Sequence, residues 1–236
     1  SQKKCHWKFA MPDNAPAGRG APRSRALRGV DRTMERRKLT YENEVKRLVD
    51  AGFALVQRTG RLEPTVGDIV AEAGLSNQAF YKHFHSKDEL LLAMLEEGIL
   101  LLRSYIKHRG SSGSNPTERV HNWLWGILEQ ALSEQAAAAT RPFVISRARL
   151  AERFPTEVKQ AEDGLNAILR SEIENGVQAG ELEASHPELD SQLLYNLAMG
   201  WVERQLITPS VDARAEADHL VAFALRGLSQ AEPSPA

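Results

Sequence analysis

The chain of 236 residues holds a single cysteine, Cys5, in a polar and basic segment. One thiol excludes an internal disulfide framework and a zinc site built on cysteines, and it gives thiol chemistry no setting. Long apolar runs are also missing. No window approaches the roughly 18 uncharged residues of a membrane span, and the N-terminus lacks the apolar centre of a secretory signal. A cytoplasmic protein without a membrane partner is expected. Strand-like alternation is absent, and so are a Gly-rich phosphate loop ahead of a helix, a nucleophile elbow and paired carboxylates on a convincing scaffold. No enzyme and no cofactor are expected.

Charge of one sign is scarce on average, since Lys and Arg number 30 against 31 Asp and Glu, but the average hides an asymmetry. Residues 1–40 carry eleven Lys/Arg against Asp13, Asp31 and Glu35, which is +8 and leaves −9 for the rest of a chain of net charge −1. The Pro, Gly, Ala and Arg content of this arm lacks apolar periodicity, so residues 1–38 read as a basic, mostly disordered arm, without structure at least through Val30. Met11 is a candidate natural start, with residues 1–10 an appended segment.

Past the arm, apolar stripes at spacing three and four with Pro/Gly punctuation predict an all-α chain. The expected helices are Thr40 to Thr59, Thr65 to Ala73, Asn77 to Phe84, Lys87 to Lys107, Pro116 to Ala139, Arg141 to Arg153, Thr156 to Ala179, Pro187 to Ile207 and Val211 to Leu228. The composition of "RGSSGSNP", Arg109 to Pro116, reads as a flexible linker ahead of a longer C-terminal bundle. Residues 230–236 read as a disordered tail.

Aromatics make up only 6% of the chain, so "LSNQAFYKHFHSKDELL", Leu75 to Leu91, stands out with two Phe, one Tyr, two His and two Lys. The joints around it are well marked. Thr65 and Asp68 have the spacing of an N-terminal cap with an acidic partner. Val66, Ile69, Val70 and Ala73 make a two-turn apolar face, and Gly74 ends it by tolerating a left-handed backbone. Ser76 caps a second short helix that turns Ala79, Phe80 and Phe84 inward and leaves Asn77, Gln78, Tyr81, Lys82 and His83 outside. Ser86 and Glu89 have capping-box spacing, which puts Lys87 at a helix N-terminus where anions are favoured. Helices this short need a brace, supplied by the helix carrying Val45, Leu48, Val49, Ala51, Phe53, Ala54 and Leu55. Two short helices joined at a glycine, the second with a polar outer face, form the layout of a helix-turn-helix that reads the major groove.

At these residues, "TVGDIVAEAGLSNQAFYKHFHSKDELL" resembles the DNA-binding region of TetR-type transcriptional regulators, strongly from about Tyr41 to Leu102. The resemblance implies a three-helix DNA-binding domain over 39–102, with the helix-turn-helix at 65–84, followed by a helical ligand-binding and dimerisation bundle over 103–229. It implies DNA contacts by Thr65, Ser76, Asn77, Gln78, Ala79, Tyr81, Lys82, His83 and Lys87. Thr65, Tyr81 and Lys87 are expected to set affinity through phosphates, and Asn77, Gln78 and Lys82 to set sequence through base edges. Two features depart from the pattern. Gly67 stands where a longer side chain is usual, at a helix-propensity cost of about 1 kcal/mol, and residues 41–90 hold six Lys/Arg against eight Asp/Glu. Attraction then falls to the Lys82, His83 and Lys87 face and to Arg23, Arg25, Arg28 and Arg32 of the arm.

His83 and His85 invite a metal-site reading, but positions i and i+2 of a helix face different ways, whereas helical ligand pairs favour i and i+4. His6 lies beside Cys5, and His108, His121, His186 and His219 have no second His or Cys within a turn, so no metal is expected. The last two helices carry apolar residues around more than one face: Leu193, Leu194, Leu197, Trp201, Val202 and Leu206, then Leu220, Val221, Ala224, Leu225 and Leu228. A homodimer through residues 187–228 would cover them and space two reading heads for a palindrome in double-stranded DNA.

In the family the intervening helices hold a small ligand that releases DNA. By that resemblance a small apolar ligand is expected against Trp123, Ile127, Phe143, Arg147 and Ile168, in a wall shared with Leu95, Ile99, Leu124, Leu128, Val144 and Leu165 and with His121 as a further polar candidate. Each of these is equally a core position. The expected function is a transcriptional regulator of repressor type that a ligand releases from a palindromic operator. A helical adaptor bundle that binds no DNA is the alternative, and a metal-dependent enzyme on a helical scaffold is the third.

Overall fold

The computed structural model describes residues 25–59 and 64–229, with side chains from Met34 onward. The described residues are helical, in the order α1 (Arg25–Thr59), α2 (Val66–Ala73), α3 (Asn77–His83), α4 (Lys87–Gly110), α5 (Pro116–Leu132), α6 (Glu134–Arg153), α7 (Pro155–Gln178), α8 (Pro187–Ile207) and α9 (Ala213–Gly227).

α1 departs most from expectation, because it begins at Arg25 rather than near Thr40 and turns the last part of the supposed disordered arm into helix. The physical reason lies in "RALRGVDRTMERRK": Ala, Leu, Met, Glu, Lys and Arg are strong helix formers, and extending an existing helix avoids the cost of nucleation. Lys38 and Glu42 add an i,i+4 pair at 3.8 Å. This stretch buries little, with Met34, Leu39 and Tyr41 all exposed. Residues 1–24 and the tail 230–236 lie outside the described residues, as do the side chains of Arg25, Arg28 and Arg32.

Two apolar cores are strung along α4. The first gathers Leu48, Val49, Leu55 and Val56 of α1, Ile69 and Val70 of α2, Phe80 of α3, Phe84 beyond it, and Leu90, Leu91, Leu92 and Met94 of α4. α1 and α4 approach so closely that a Cβ on Gly52 would stand 2.6 Å from the Met94 sulfur. The second core surrounds α5, which packs on α4, α6, α7, α8 and α9. There Trp123 is buried and its indole N–H donates to the Leu165 carbonyl at 3.2 Å.

The division between cores therefore falls within α4, not at the glycine-serine segment. That segment is also ordered by hydrogen bonds: the Ser111 N–H donates to the Lys107 carbonyl at 3.0 Å, and the Asn115 side chain caps α5 at the Glu118 N–H at 2.8 Å. The first core does not close on itself. Phe143, Leu150, Ala151, Phe154 and Val158, from α6, the turn after it and α7, complete it.

α6 also begins earlier than expected. The spans expected from the sequence break between Ala139 and Arg141, whereas the break falls at Ser133, whose hydroxyl caps the Ala136 N–H. Pro142 sits inside the helix. The alanine run before it contains no breaking residue, so a cap upstream decides where the helix starts.

Candidate nucleic-acid interface

The two-turn α2 is defined by its ends. Thr65 accepts from the Asp68 N–H at 3.1 Å while the Asp68 carboxylate accepts from the Thr65 N–H at 3.1 Å, a complete capping box. At the other end Gly74 has φ 61° and ψ 39°, the left-handed conformation that glycine adopts without steric cost. The Leu75 N–H returns to the Val70 carbonyl at 2.8 Å and the Gly74 N–H to Ala71 at 3.2 Å, closing a Schellman turn. The chain then re-enters helix under the Ser76 hydroxyl, which accepts from the Ala79 N–H at 3.2 Å.

α3 is seven residues long and anchored through Phe80, which is wholly buried and packs on the Phe84 ring at 5.8 Å. Anchoring that face turns Asn77, Gln78 and Tyr81 outward, all exposed. Tyr81 is 58% exposed, and its ring stands edge-on to Phe80 at 82°. Ala79 is half-buried at the edge of the face, whereas Thr65 and Ser76 are exposed but have their hydroxyls engaged as caps. Lys87 is half-buried, lining with Pro64, Ile69 and Met94 a dimple of about 10 Å³ that is too small for a ligand.

His83 is the correction within this set. The reading placed it outward, but its side chain is 0% exposed and its Nε2 lies 2.6 Å from the Glu44 carboxylate of α1. A carboxylate at that distance can only accept, so Nε2 carries the proton. The same Glu44 oxygen accepts from Lys82 Nζ at 2.9 Å. These bonds, Lys82 first and His83 second, hold the Glu44 carboxyl below its ordinary pKa. His85 points away, with its backbone N–H donating to Glu89 at 2.7 Å. The Ser86 and Glu89 box is thus half formed: Ser86 caps the Glu89 N–H, but the carboxylate reaches one residue further back. His83 and His85 share no ligand geometry, and among the described residues no cluster of His, Cys, Asp or Glu is placed to hold a metal ion.

Sequence reasoning missed how α1 braces these helices. Beyond its apolar face, three side chains staple it to them: Glu44 to the end of α3, Arg47 to the Ala73 and Gly74 carbonyls at 2.6 and 3.0 Å, and Arg58 to Glu72 at 2.9 Å. Their sequence signal is slight, since isolated charges on a helix usually read as a solvated face. Asp88, at the first turn of α4, takes Arg153 at 2.6 Å and Arg149 at 3.5 Å from α6.

In the rest of the chain the structure separates the expected ligand residues. Trp123 and Ile168 line a cavity of about 260 Å³ between α4, α5 and α7, together with Ile106, Lys107, Arg119 and Glu172. Ile127 is instead buried in the α5 core, Phe143 stacks on Phe53 of the first core at 5.8 Å, and Arg147 pairs with Glu162 at 2.6 Å. His121 lies against Trp125, their rings 6.5 Å apart. Of the residues expected to face a partner copy, Trp201, Val202, Leu206, Leu220, Val221, Ala224 and Leu228 are buried within their own chain, and Leu194 and Leu225 are half-buried. The exposed apolar residues of α8 and α9 are Leu189, Leu193, Leu197, Ile207 and Phe223.

A capped two-turn helix, a left-handed glycine and a second short helix with a polar outer face define a helix-turn-helix DNA-binding protein. Residues 48–94 match the family model of the bacterial regulatory proteins of the tetR family, so this segment is similar to the helix-turn-helix region of that family. It is similar to the uncharacterized HTH-type transcriptional regulator YhgD of Bacillus subtilis, 25% identical over 206 residues that cover 84% of this chain and 98% of that protein. It is also similar to the HTH-type transcriptional repressor KstR of Mycobacterium tuberculosis, 23% identical over 174 residues, covering 72% and 76%. The fold is shared with FadR from Bacillus subtilis in complex with stearoyl-CoA, with TM-score 0.62 and 16% identity over 78% of this chain and 98% of that one.

Proposed function

We propose that the chain acts as a homodimeric repressor whose α3 reads a palindromic operator and whose C-terminal bundle takes a small ligand that releases it. The observation that carries this reading is the outer face of α3: Asn77, Gln78 and Tyr81 are exposed on a helix anchored by Phe80, with both joints capped. Asn and Gln make paired hydrogen bonds to adenine in the major groove, and each good pair is worth about 1–3 kcal/mol of discrimination. Tyr81, Thr65 and Lys87 are assigned to flanking phosphates, with the basic segment before α2 adding sequence-independent attraction.

Dimerisation rests on α8, where Leu189, Leu193 and Leu197 follow one another at spacing four and remain exposed, with Phe223 of α9 exposed as well. A two-fold pairing through this stripe would set two reading heads one turn of DNA apart, roughly 34–36 Å, or a multiple of it. Likeness to a protein described as a repressor supports that direction of control. FadR in complex with stearoyl-CoA supports a ligand in the bundle. The cavity at Trp123 and Ile168 suits something smaller, because about 260 Å³ is less than twice the roughly 150 Å³ that encloses benzene. Its wall is polar at Lys107 and at Arg119 and Glu172, which pair with each other at 2.7 Å.

Selection of bound duplexes from a random pool tests the reading. Recovery of a palindrome is the expected result. A single enriched half-site would remove the dimer, and no enrichment above non-specific binding would favour the adaptor bundle.

A further inference from the structure

We infer that Glu44 is a positioning residue for the reading helix: its carboxylate fixes the last turn of α3 through His83 and withholds the charge of Lys82 from DNA that does not fit. The inference rests on the reading of α3 as the DNA-contacting helix. Glu44 lies outside the segment 48–94 that carries the family match.

The geometry has two parts. α3 has seven residues, too few to keep its own direction, and its N-terminal end is held by Ser76. Its other end is held by Phe80 and Phe84 in the core and by the bond of 2.6 Å from His83 to Glu44, which spans 39 residues of sequence and ties α3 to α1. The side chain of His83 is wholly buried and that of Glu44 is 21% exposed, so this bond is sheltered from water. Lys82 is different: it is 55% exposed, on the rim of the reading face, and gives its ammonium to the same oxygen at 2.9 Å.

A carboxylate beside a surface that must meet a polyanion opposes binding unless it does something else there. Paired as it is, Lys82 exchanges one oxyanion for another when it meets a phosphate, so a loose encounter brings little net gain. On a fitting duplex, where α3 seats fully and Lys82 reaches a base edge or a fixed phosphate, the exchange is compensated by the other contacts. Glu44 thus lowers non-specific affinity more than specific affinity, and the ratio between them rises.

The test uses the full chain with Glu44→Gln, which keeps an acceptor for His83 but loses the charge. Binding is measured against salt on the selected duplex and on a scrambled one. The expected result on the scrambled duplex is several-fold tighter binding at low salt and a salt slope steeper by about 0.9, the value for one additional neutralised phosphate. The selected duplex should gain less, so the specificity ratio falls, and Lys82→Met added to Glu44→Gln should cancel the change in slope. An unchanged slope, or equal weakening on both duplexes, would reduce Glu44 to a structural brace and overturn the inference while leaving the function intact. If the wild type itself binds no duplex, both fall together.

Discussion

The helix-turn-helix and the bundle around α5 are built on opposite principles. The first is made of short helices whose ends are specified one by one: Thr65 with Asp68, Gly74, Ser76 and Ser86 each occupy a position that few residue types fill. The second is made of long helices whose apolar stripes satisfy one another in bulk, with Trp123, Leu124, Ile127 and Leu128 all nearly inaccessible on a single helix. A region stabilised by discrete caps and staples exposes its function to single substitutions. A region stabilised by redundant burial spreads the damage, and its function is harder to locate.

Matched truncations would break or sharpen that contrast. Phe80→Ala should cost about 3–5 kcal/mol, as expected for a buried aromatic, and should abolish specific DNA binding because Phe80 is the largest buried side chain within α3 itself. Leu128→Ala should cost about 2–5 kcal/mol in thermal unfolding but leave the reading face intact, so the folded fraction should bind the selected duplex with little change. Equal losses of DNA binding from the two truncations, measured at matched folded fractions, would erase the distinction.

A smaller effect is expected at the exposed stripe. Leu193 is 57% exposed, so Leu193→Glu should leave the melting temperature within a few degrees of wild type while shifting a dimer to a monomer in sedimentation. A dimer that survives this change does not use α8 as assigned.

The smallest effect concerns acid. The Glu44 carboxyl is held below its ordinary value by the Lys82 and His83 bonds, and that of Glu89 first by the His85 N–H. A carboxylate with a lowered folded pKa adds stability that is fully present above its unfolded value, near 4.5, and is lost as pH falls through the folded value. The Glu44 carboxylate of α1 meets the end of α3 and Glu89 lies in the first turn of α4, so amide protection there should fall below about pH 4.5, ahead of the α5 core. Glu44→Gln should remove part of that dependence, and an unaltered profile would separate the Glu44 bonds from the stability of α3.

The same contrast explains what could be read from the chain itself. Gly74, Ser76 and Thr65 were legible because left-handed turns and caps restrict residue type, and from them followed the register that buries Phe80 and exposes Gln78. His83 was not legible, because helical periodicity alone cannot show that a carboxylate 39 residues upstream folds over that edge of α3. Arg47 and Arg58 escaped for the same reason, being long-range partners of backbone and carboxylate. In α8 and α9 the periodicity marked Trp201, Val202 and Leu220 as apolar without showing which neighbour covers them, and their own chain does. The early start of α1 was masked by composition, since arginine serves a disordered arm and a helix equally well.

The central claim is that the face of α3 opposite Phe80 reads DNA sequence. It is tested most directly by comparing Gln78→Ala and Lys87→Ala on the selected duplex and a scrambled one. Gln78→Ala should weaken the selected duplex by about 1–3 kcal/mol and leave the scrambled one unchanged, whereas Lys87→Ala should weaken both alike. Equal effects of Gln78→Ala on the two duplexes would contradict the claim.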